Sequence, residues 1–220
     1  MGRQNRDQRT LRITEIFYSL QGESSTVGWP TVFVRLTGCP LRCHYCDTTY
    51  AFQGGQLHTL EEILKQVAAY HCPRVCVTGG EPLAQLGCID LLTALCDNGF
   101  FVSLETSGAR DIANVDKRVM IVMDLKTPDS GESKKNLFTN LTHLKPEDQI
   151  KFVLCSREDY EWATRMITEH HLDQHALLLF SPSFGQLDPT KLADWILEDR
   201  LPVRFQYQLH KFLWHDAPGH

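Results

Sequence analysis

Residues 39–46 read Cys39-Pro40-Leu41-Arg42-Cys43-His44-Tyr45-Cys46, which places three cysteines within eight residues at the spacing CX3CX2C. A β-branched and apolar run, residues 31–36, leads into this loop through Thr37-Gly38. Three thiolates so close in sequence can ligate one metal centre without large movements of the backbone. The stretch therefore predicts a metal site on a loop at the end of a strand.

The overall composition excludes several classes of protein. Of the 220 residues, 42% are hydrophobic and 22% are charged, as in ordinary globular domains. The net charge of −5 and the pI near 6.0 argue against general nucleic-acid binding, which normally requires a basic surface. The sequence has no apolar run approaching the roughly 18 residues of a membrane helix, and residues 1–10 have no signal-peptide core. We therefore expect a cytoplasmic protein without membrane or nucleic-acid partners, with a disordered lead over residues 1–10 and one domain over residues 11–220.

Strand and helix patterns alternate along the chain. Apolar strand patterns are separated by segments of helical spacing, such as the capping box of residues 59–62 and the apolar residues that follow it. This alternation predicts an α/β fold with a parallel sheet. Since no GxGxxG follows the first strand, we favour a partial, open parallel β/α barrel over a flat dinucleotide-binding sheet. The predicted strands are residues 11–20, 31–37, 74–78, 100–105, 119–124, 149–154, 176–180 and 203–209, and the predicted helices begin near residues 59, 84, 133, 156 and 188.

Polar and glycine residues follow most of the predicted strands at their carboxyl ends. In α/β barrels and open parallel sheets, ligands bind at that edge. We therefore expect these clusters to form a single site. The clusters are Gly38-Cys39, Thr78-Gly79-Gly80-Glu81, Glu105-Thr106-Ser107-Gly108, Asp124-Leu125-Lys126, Ser181-Pro182 and His210-Lys211.

The three cysteines of the loop allow two kinds of metal centre. A structural zinc ion needs four ligands, commonly as two separated pairs, and Cys72 or Cys76 could supply the fourth. A [4Fe–4S] cluster normally takes four thiolates, so three would leave one iron with an open position for a small molecule. Other cysteines, at positions 72, 76, 88 and 96, are expected to be buried core residues, since a free cysteine behaves as a small hydrophobe.

Two motifs together resemble the signature of the radical S-adenosylmethionine (radical SAM) enzymes. They are the CX3CX2C loop after one strand and the Gly-Gly-Glu of residues 79–81 after the next. The resemblance implies that Cys39, Cys43 and Cys46 hold a [4Fe–4S] cluster, and that the methionine end of S-adenosylmethionine (SAM) binds the fourth iron. It also implies that an electron from the cluster cleaves SAM to a 5′-deoxyadenosyl radical.

Further segments are similar to the 7-carboxy-7-deazaguanine synthases within that superfamily. The resemblance implies a ring contraction of 6-carboxy-5,6,7,8-tetrahydropterin with loss of ammonia, in the biosynthesis of queuosine and other 7-deazapurines. It further implies a requirement for Mg2+, a homodimer, an electron donor such as flavodoxin or ferredoxin, and a C-terminal tail that closes the active site. The segments that carry it are Tyr18–Glu23, Phe33–Cys39, Cys46–Thr48 and Leu209–Lys211.

Individual roles follow from the same resemblance, residue by residue. Thr48 is implied as the magnesium ligand. The implied substrate contacts are Leu20, Gln21, Gly22, Arg35, Thr78 and His210. The implied cofactor contacts are Tyr45, Asp47, Gly80, Glu105, Asp124, Leu125 and Lys126. In the last segment Asp and Leu stand where the family has Ser and Pro, and Ser181-Pro182 replaces a more common Gln-Pro.

For several of these residues the sequence alone also allows a structural role. Arg35 lies in an apolar strand, where its charge needs a partner, either a substrate carboxylate or a structural salt bridge. Thr48 could cap a turn, and Gly79-Gly80 could be only a tight turn. For the whole chain, the alternatives are a radical SAM activase or peptide-modifying enzyme, and a zinc-stabilised binding protein without chemistry.

Overall fold

A computed structural model describes residues 10–215 and provides the structure of the chain. The disordered lead was expected over residues 1–10; of these, Thr10 begins β1, and residues 1–9 lie outside the described part, as do the tail residues 216–220. The strands are β1 (Thr10–Leu20), β2 (Pro30–Leu36), β3 (Gln56–Thr59), β4 (Arg74–Gly79), β5 (Phe101–Thr106), β6 (Met120–Asp124), β7 (Gln149–Leu154), β8 (Leu177–Pro182) and β9 (Arg204–Phe205). The α-helices are α1 (Leu60–Ala68), α2 (Cys88–Asp97), α3 (Arg157–His170), α4 (Pro189–Glu198) and α5 (Leu209–Trp214).

All described strands form one open sheet in the order β3-β1-β2-β4-β5-β6-β7-β8-β9. Seven strands, namely β2 and β4 to β9, run parallel to one another. Strand β1 pairs antiparallel with both β2 and β3. The carboxyl ends of the seven parallel strands therefore meet at one edge. This arrangement confirms the predicted α/β fold with a partial parallel β/α barrel.

The two faces of the sheet differ in chemistry. Along β2, Val32 and Val34 join the main hydrophobic core with the helices, whereas Phe33 and Arg35 point to the opposite, inner face. The inner face of the later strands carries polar groups between the apolar core positions. These inner residues are Cys76 and Thr78 of β4, Glu105 of β5, Asp124 of β6 and Lys151 of β7. The open barrel therefore encloses polar and charged side chains.

Several helix ends lie where their sequence signals predict, but α2 begins at Cys88 and not near residue 84, and α5 was not predicted. Thr59 and Glu62 form a reciprocal capping box at the start of α1. Asp188 caps α4 in front of Pro189. At the end of α2, Gly99 adopts a φ of +83°, which glycine reaches without the cost that a side chain would add. None of the helices in residues 10–215 is long and apolar enough to span a bilayer.

Two predicted elements are wrong in extent. The segment 133–143 forms short 3-10 turns, not a helix, because Asn136 and Asn140 bond the backbones of other loops. The last strand ends at Phe205 and not at residue 209, since the chain then turns into α5. The edge strand β3 was not predicted.

A loop between β1 and β2, residues 21–29, closes the barrel at its amino-terminal edge, and we call it the floor loop. Its ends are pinned together, because the N–H of Gln21 donates to the carbonyl of Trp29 at 2.9 Å. The N–H of Ser25 donates to the side chain of Gln149, the first residue of β7, at 2.8 Å. The cysteine loop follows β2 at the opposite edge. The polar interior thus lies between the floor loop and the cysteine loop.

Candidate active site

The cysteine loop, residues 39–46, is ordered by its own backbone. Gly38 adopts a φ of +99° and turns the chain out of β2. The Arg42 guanidinium folds back and donates to the carbonyls of Cys39 and Leu41 at 2.7 and 2.6 Å. The three thiols of the loop are free and half-buried. The contacts that order the loop therefore leave its sulfur atoms available to ligands.

The segment between β6 and β7 braces the cysteine loop from outside. The N–H of Arg42 donates to the Glu132 carboxylate at 2.5 Å, and the N–H of His44 donates to the carbonyl of Ser130 at 3.1 Å. Gly131, at a φ of +77°, lies so close to His44 that an added Cβ would stand 2.9 Å from the imidazole. This glycine lets the two loops pack against each other.

The thiols of the loop hold their protons strongly without a metal. Burial raises the pKa of Cys43 to about 11 and also raises the pKa values of Cys39 and Cys46. The nearby Lys126 ammonium lowers these pKa values by less than burial raises them. Since metals bind thiolates, metal binding to this loop must displace protons.

The arrangement of these thiols disfavours a single zinc ion. Within residues 10–215, no three Cys, His, Asp or Glu side chains lie close enough together to ligate one ion. The sulfur ligands of one tetrahedral zinc stand less than about 4 Å apart, given Zn–S bonds of ~2.3 Å. The thiolates of an iron–sulfur cluster bind different irons and can stand farther apart. Cys72, proposed as a fourth ligand, is buried in the core and precedes β4 at the far edge of the sheet. The donor set therefore fits a cluster.

Gly80 packs directly against the cysteine loop. A Cβ at this position would overlap the Gly38 carbonyl and stand 2.7 Å from Cβ of Cys39. The N–H of Gly80 donates to the carbonyl of Leu36 at 3.2 Å, and the N–H of Glu81 donates to the carbonyl of Gly38 at 2.9 Å. This segment is therefore more than a tight turn, since it positions the first cysteine.

Glu81 is fully buried and joins the ends of β4 and β5, a role that the sequence analysis did not assign. Its carboxylate accepts from the N–H of Leu83 at 2.9 Å, from the Thr106 hydroxyl at 2.9 Å and from the N–H and hydroxyl of Ser107. With these donors both carboxylate oxygens are occupied. The carboxylate of Glu81 thus shapes the rim of the site and has little capacity left for a ligand.

Lys126 lies buried below Tyr45 at the carboxyl edge. Its ammonium bonds Oδ2 of Asp124 at 2.9 Å and lies 5.5 Å from the centre of the Tyr45 ring. Burial opposes the charge, but Asp124, Tyr45 and Cys43 together outweigh burial and raise the pKa of Lys126 well above its usual value. The side chain of Asn136 bonds both the N–H and the carbonyl of Lys126 at 2.9 Å. Leu125 is buried and donates its N–H to the carbonyl of Lys151 at 2.9 Å.

Two buried polar atoms beside Lys126 find no hydrogen-bond partner within the described residues. They are Oδ1 of Asp124 and the hydroxyl of Tyr45. Buried polar groups in native proteins are nearly always paired, and an unpaired one costs about 1–3 kcal/mol. Both atoms lie near Cys43, since its thiol interacts electrostatically with Asp124 and Tyr45. A polar ligand bound next to the cysteine loop would satisfy them, which fits a cofactor such as SAM.

Glu105 contacts residues predicted to bind the substrate, although it was predicted as a cofactor contact. Its carboxylate accepts from the Thr78 hydroxyl at 3.0 Å and from the side-chain amide of Gln21 at 3.4 Å. The carboxylate therefore lies between β4 and the floor loop.

Gly22 and His210 are brought together by α5. The N–H of Leu209 donates to the carbonyl of Gly22 at 3.0 Å, and a Cβ on Gly22 would overlap the His210 imidazole. Leu20 ends β1 opposite Pro30 and directly precedes Gln21 in the chain. Five of the six predicted substrate residues thus belong to the floor loop, α5 or the inner face.

Arg35 has the structural salt bridge that was one alternative. Its Nε donates to Oε1 of Glu15 at 2.7 Å, and the Tyr50 hydroxyl donates to the same oxygen at 2.9 Å. The guanidinium lies 5.7 and 5.8 Å from the ring centres of Phe17 and Tyr50. Within residues 10–215 this hydrogen bond uses Nε only, so the two terminal nitrogens remain able to bind an anion in the barrel.

Thr48 does not cap the turn that it precedes. Its hydroxyl makes no capping bond to the 3-10 turn of residues 49–52, and it donates to Oδ1 of Asp47 at 2.8 Å. The other oxygen of Asp47 lies 3.6 Å from Nζ of Lys211 in α5. The capping alternative is therefore wrong, and two hard oxygen donors stand side by side after the last cysteine. Of the two predicted cofactor contacts in this segment, Asp47 therefore lies near Thr48 and α5. Tyr45 lies near Lys126.

Comparison with known proteins agrees with this geometry. The profile of the Radical SAM superfamily matches residues 33–171, which contain the cysteine loop. The 7-carboxy-7-deazaguanine synthase of Chlorobaculum tepidum is 49% identical over 213 residues, covering 95% of this chain and 97% of the relative. The enzyme of that name from Koribacter versatilis is 43% identical, with coverage of 93% and 97%. The chain belongs to the 7-carboxy-7-deazaguanine synthase family of radical SAM enzymes.

The solved structure of another protein has the same fold as this chain. The crystal structure of QueE from Escherichia coli superposes with a TM-score of 0.77 and covers 93% of this chain and 96% of that chain. Because the two sequences are only 22% identical, this likeness concerns the fold alone. The resemblance to radical SAM enzymes and to this family, stated from the sequence motifs, is confirmed.

This chain also contains a buried ion pair that the sequence analysis did not predict. Nζ of Lys151 bonds Oε2 of Glu23 at 2.5 Å and lies 3.7 Å from Oδ2 of Asp124, and Gln208 donates to Oε1 of Glu23 at 2.7 Å. Burial alone would raise the pKa of Glu23, but Lys151, Gln208 and His210 together outweigh burial and hold this pKa at about 2. The signal was present, because Lys151 is a charge inside an apolar strand, as Arg35 is.

Acid should destabilise the fold through Glu23. Because its pKa of about 2 lies below the ordinary value of 4.5, the carboxylate stabilises the fold above about pH 5. This contribution, on the order of 3 kcal/mol, is lost as the pH falls through 4.5 towards 2. Urea unfolding followed from about pH 7 to about pH 3 should show this loss in the wild type and a flatter profile in Glu23→Gln. An exposed control, Glu61→Gln, should keep the wild-type slope; equal slopes for Glu23→Gln and wild type would refute the assignment.

Gly80→Ala should displace the cysteine loop. The added methyl group would stand 2.7 Å from Cβ of Cys39, so the first thiolate cannot keep its position. We expect iron bound after anaerobic reconstitution to fall at least about tenfold, while circular dichroism reports an intact fold. In the control Gly87→Ala the atoms nearest to the new methyl group belong to the Leu11 side chain, at 3.3 Å or more, and the cysteine loop is not among them. Full iron content in a folded Gly80→Ala protein would show that this close approach does not matter.

Proposed function

We propose that the chain converts 6-carboxy-5,6,7,8-tetrahydropterin to 7-carboxy-7-deazaguanine with loss of ammonia, as a radical SAM lyase of 7-deazapurine and queuosine biosynthesis. The observation that carries this proposal is the cysteine loop, which opens onto an enclosed polar interior in a member of this family. The interior offers separate polar groups for a cofactor beside the loop and for a substrate above the floor loop.

Cys39, Cys43 and Cys46 would hold the [4Fe–4S] cluster, and SAM would bind between the cluster and Lys126. When bound, the cluster and SAM supply the one-electron chemistry that removes a hydrogen atom from the substrate. Gly80 leaves room for the methionine end. The unpaired Oδ1 of Asp124 can accept a hydrogen bond from it, which suits the Asp that stands here in place of the family's Ser.

The floor of the barrel would hold the pterin. Gln21 supplies amide donors and acceptors for its heterocyclic edge, with Thr78 and Glu105 on the same side. The free terminal nitrogens of Arg35 can take the substrate carboxylate while Nε remains bound to Glu15. Glu105, implied by the resemblance as a cofactor contact, is thereby assigned to the substrate. His210 and α5 cover the floor loop and exclude water from this end.

Thr48 would be the protein ligand of Mg2+. A hard cation of this size prefers oxygen ligands and keeps several waters. The hydroxyl of Thr48 and the adjacent carboxylate of Asp47 offer such oxygens, and substrate oxygens would complete the shell. The family resemblance also motivates a homodimer and a flavodoxin or ferredoxin as electron donor.

Cys43→Ala should abolish catalysis together with SAM cleavage. In the wild type, reconstituted anaerobically with iron and sulfide and supplied with SAM and dithionite as reductant, we expect 5′-deoxyadenosine and ammonia to form only when the carboxy-tetrahydropterin is present. Loss of one thiolate should lower both by more than about 10³-fold, since each cluster ligand is required. Cys155→Ala serves as a control, because this half-buried cysteine lies outside the loop. Retained activity in Cys43→Ala would refute the cluster assignment, and turnover of a peptide instead of the pterin would refute the substrate.

Thr48→Ala should weaken the dependence on magnesium and leave the cluster intact. Removal of one oxygen ligand should raise the Mg2+ concentration needed for half-maximal rate by about tenfold or more. The iron content and visible spectrum should match those of the wild type. Thr49→Ala, one residue further, provides the control for a local change. An unaltered magnesium titration would exclude Thr48 as a ligand.

A further inference from the structure

We propose that Glu15 and Tyr50 are positioning residues that make the substrate site selective for a carboxylate, because they fix the guanidinium of Arg35. This inference rests on the proposed function, in which Arg35 binds the carboxylate of the pterin. Neither the sequence motifs nor the family comparison assigns Glu15 or Tyr50 to the site. Their task is to leave only the terminal nitrogens of Arg35 for the ligand.

An irregularity in β1 brings Glu15 into the barrel. Ile13 pairs with Leu36 and Glu15 pairs with Arg35, so Thr14 is an extra residue between them, a β-bulge. Ile13 belongs to the hydrophobic core on the face that the helices cover. Without the bulge, Glu15 would lie on that same face, since side chains two residues apart in a strand share a face. The bulge therefore turns the Glu15 carboxylate towards Arg35 on the inner face.

Both positioning residues are anchored to the segment that leads into the cysteine loop. The hydroxyl groups of Thr14 and Thr37 form a hydrogen bond at 2.7 Å, which ties the bulge to the end of β2. Tyr50 belongs to the 3-10 turn Thr49–Phe52. The N–H of Gly38 donates to the carbonyl of Ala51 in this turn at 2.8 Å. The positions of Glu15 and Tyr50 are thus set by the same short stretch of backbone.

One carboxylate oxygen accepts two hydrogen bonds in this group. Oε1 of Glu15 accepts from Nε of Arg35 at 2.7 Å and from the Tyr50 hydroxyl at 2.9 Å. Burial raises the pKa of Tyr50 to about 12, with Glu15 adding to the rise and Arg35 opposing it. The phenol therefore stays protonated at neutral pH and donates. The guanidinium carbon also lies 5.8 Å from the centre of the Tyr50 ring, within the range of cation–π attraction.

With Nε occupied, Arg35 can offer a ligand only its two terminal nitrogens. Neither nitrogen has a hydrogen-bond partner within residues 10–215. Arg35 stands beside Thr78 in the register of the sheet, and the Thr78 hydroxyl donates to Glu105 at 3.0 Å. Arg35 therefore lies in the layer assigned to the pterin. Two parallel N–H groups match the two oxygens of a carboxylate, whereas a hydroxymethyl or aldehyde group offers one neutral oxygen.

Glu15 acts by position and not by its charge on the ligand. A negative carboxylate repels an anionic substrate, so its charge alone would weaken binding. Its benefit is that the guanidinium has one orientation before the substrate arrives, which lowers the entropy lost on binding. The side chains of Arg35 and Glu15 are only 15% and 24% exposed. Their hydrogen bond is thus largely shielded from water and can hold that orientation.

The experiment separates position from charge with two variants of Glu15. Glu15→Asp keeps the charge but withdraws the carboxylate by one methylene group, whereas Glu15→Gln keeps the length and an acceptor oxygen but removes the charge. Holoenzyme, reconstituted anaerobically and supplied with SAM, is dialysed to equilibrium against 6-carboxypterin or unsubstituted pterin, and bound pterin is measured by fluorescence. Arg35→Lys, Glu15→Asp/Arg35→Lys and Tyr50→Phe are compared with the exposed control Glu61→Asp on α1.

We expect Glu15→Asp to bind 6-carboxypterin at least about tenfold more weakly than the wild type, while Glu15→Gln stays within about threefold. Tyr50→Phe should lose about threefold for this ligand. In all three, affinity for unsubstituted pterin should change by less than about twofold, because this ligand has no carboxylate for Arg35. The double variant should bind 6-carboxypterin no more weakly than Arg35→Lys, since Glu15 acts through Arg35. Glu61→Asp should match the wild type.

Equal losses for both pterins in Glu15→Asp would show a merely structural role and overturn the proposal. A loss in Glu15→Gln as large as that in Glu15→Asp would overturn it as well, because charge and not position would then be decisive. Unchanged binding in Tyr50→Phe would refute the part assigned to Tyr50. A wild type that binds 6-carboxypterin no better than unsubstituted pterin would refute the substrate of the proposed function. A wild-type preference that Glu15→Asp retains would refute only the positioning role.

Discussion

The interior of this open barrel depends on the pairing of charges that the strands bury on its inner face. A lone buried charge costs several kcal/mol, and Lys151 in the middle of β7 is such a charge. Glu23 of the floor loop bonds it at 2.5 Å, and Asp124 lies 3.7 Å away. One ammonium group therefore ties the amino-terminal closure of the barrel to the strand end that bears Lys126. The pair thus adds to the contacts of Ser24 and Ser25 that hold the floor loop in place.

The interior has two ends, one on each side of the ion pair between Lys151 and Glu23. At the carboxyl edge, Lys126, Asp124 and Tyr45 surround the inner side of the cysteine loop and leave two polar atoms without partners. At the floor, Glu105 joins Thr78 to Gln21. Cofactor and substrate are thus proposed to meet between the two ends, within the volume that the sheet encloses. On the outer side of the cysteine loop, Pro40, Arg42 and His44 are exposed to solvent.

The sequence was informative where the signal is local. The CX3CX2C loop, the capping box at Thr59 and the strands of the parallel sheet follow from neighbouring residues, and all are present. It failed where partners are distant, as with Glu23 and Lys151, which meet only once the barrel has closed. The same reason explains the helix wrongly predicted near residue 136, since Asn136 bonds the backbone of Lys126. Arg35 could be identified as a buried charge, but its partner Glu15 could not.

The electron paramagnetic resonance spectrum of the reduced, anaerobically reconstituted chain tests the central claim most directly. Three thiolates on one loop leave one iron of a [4Fe–4S] cluster open. The account therefore predicts a signal from about one reduced cluster per chain whose shape changes when SAM is added. A spectrum that SAM leaves unchanged, or a protein that takes up stoichiometric zinc and no iron, would contradict it.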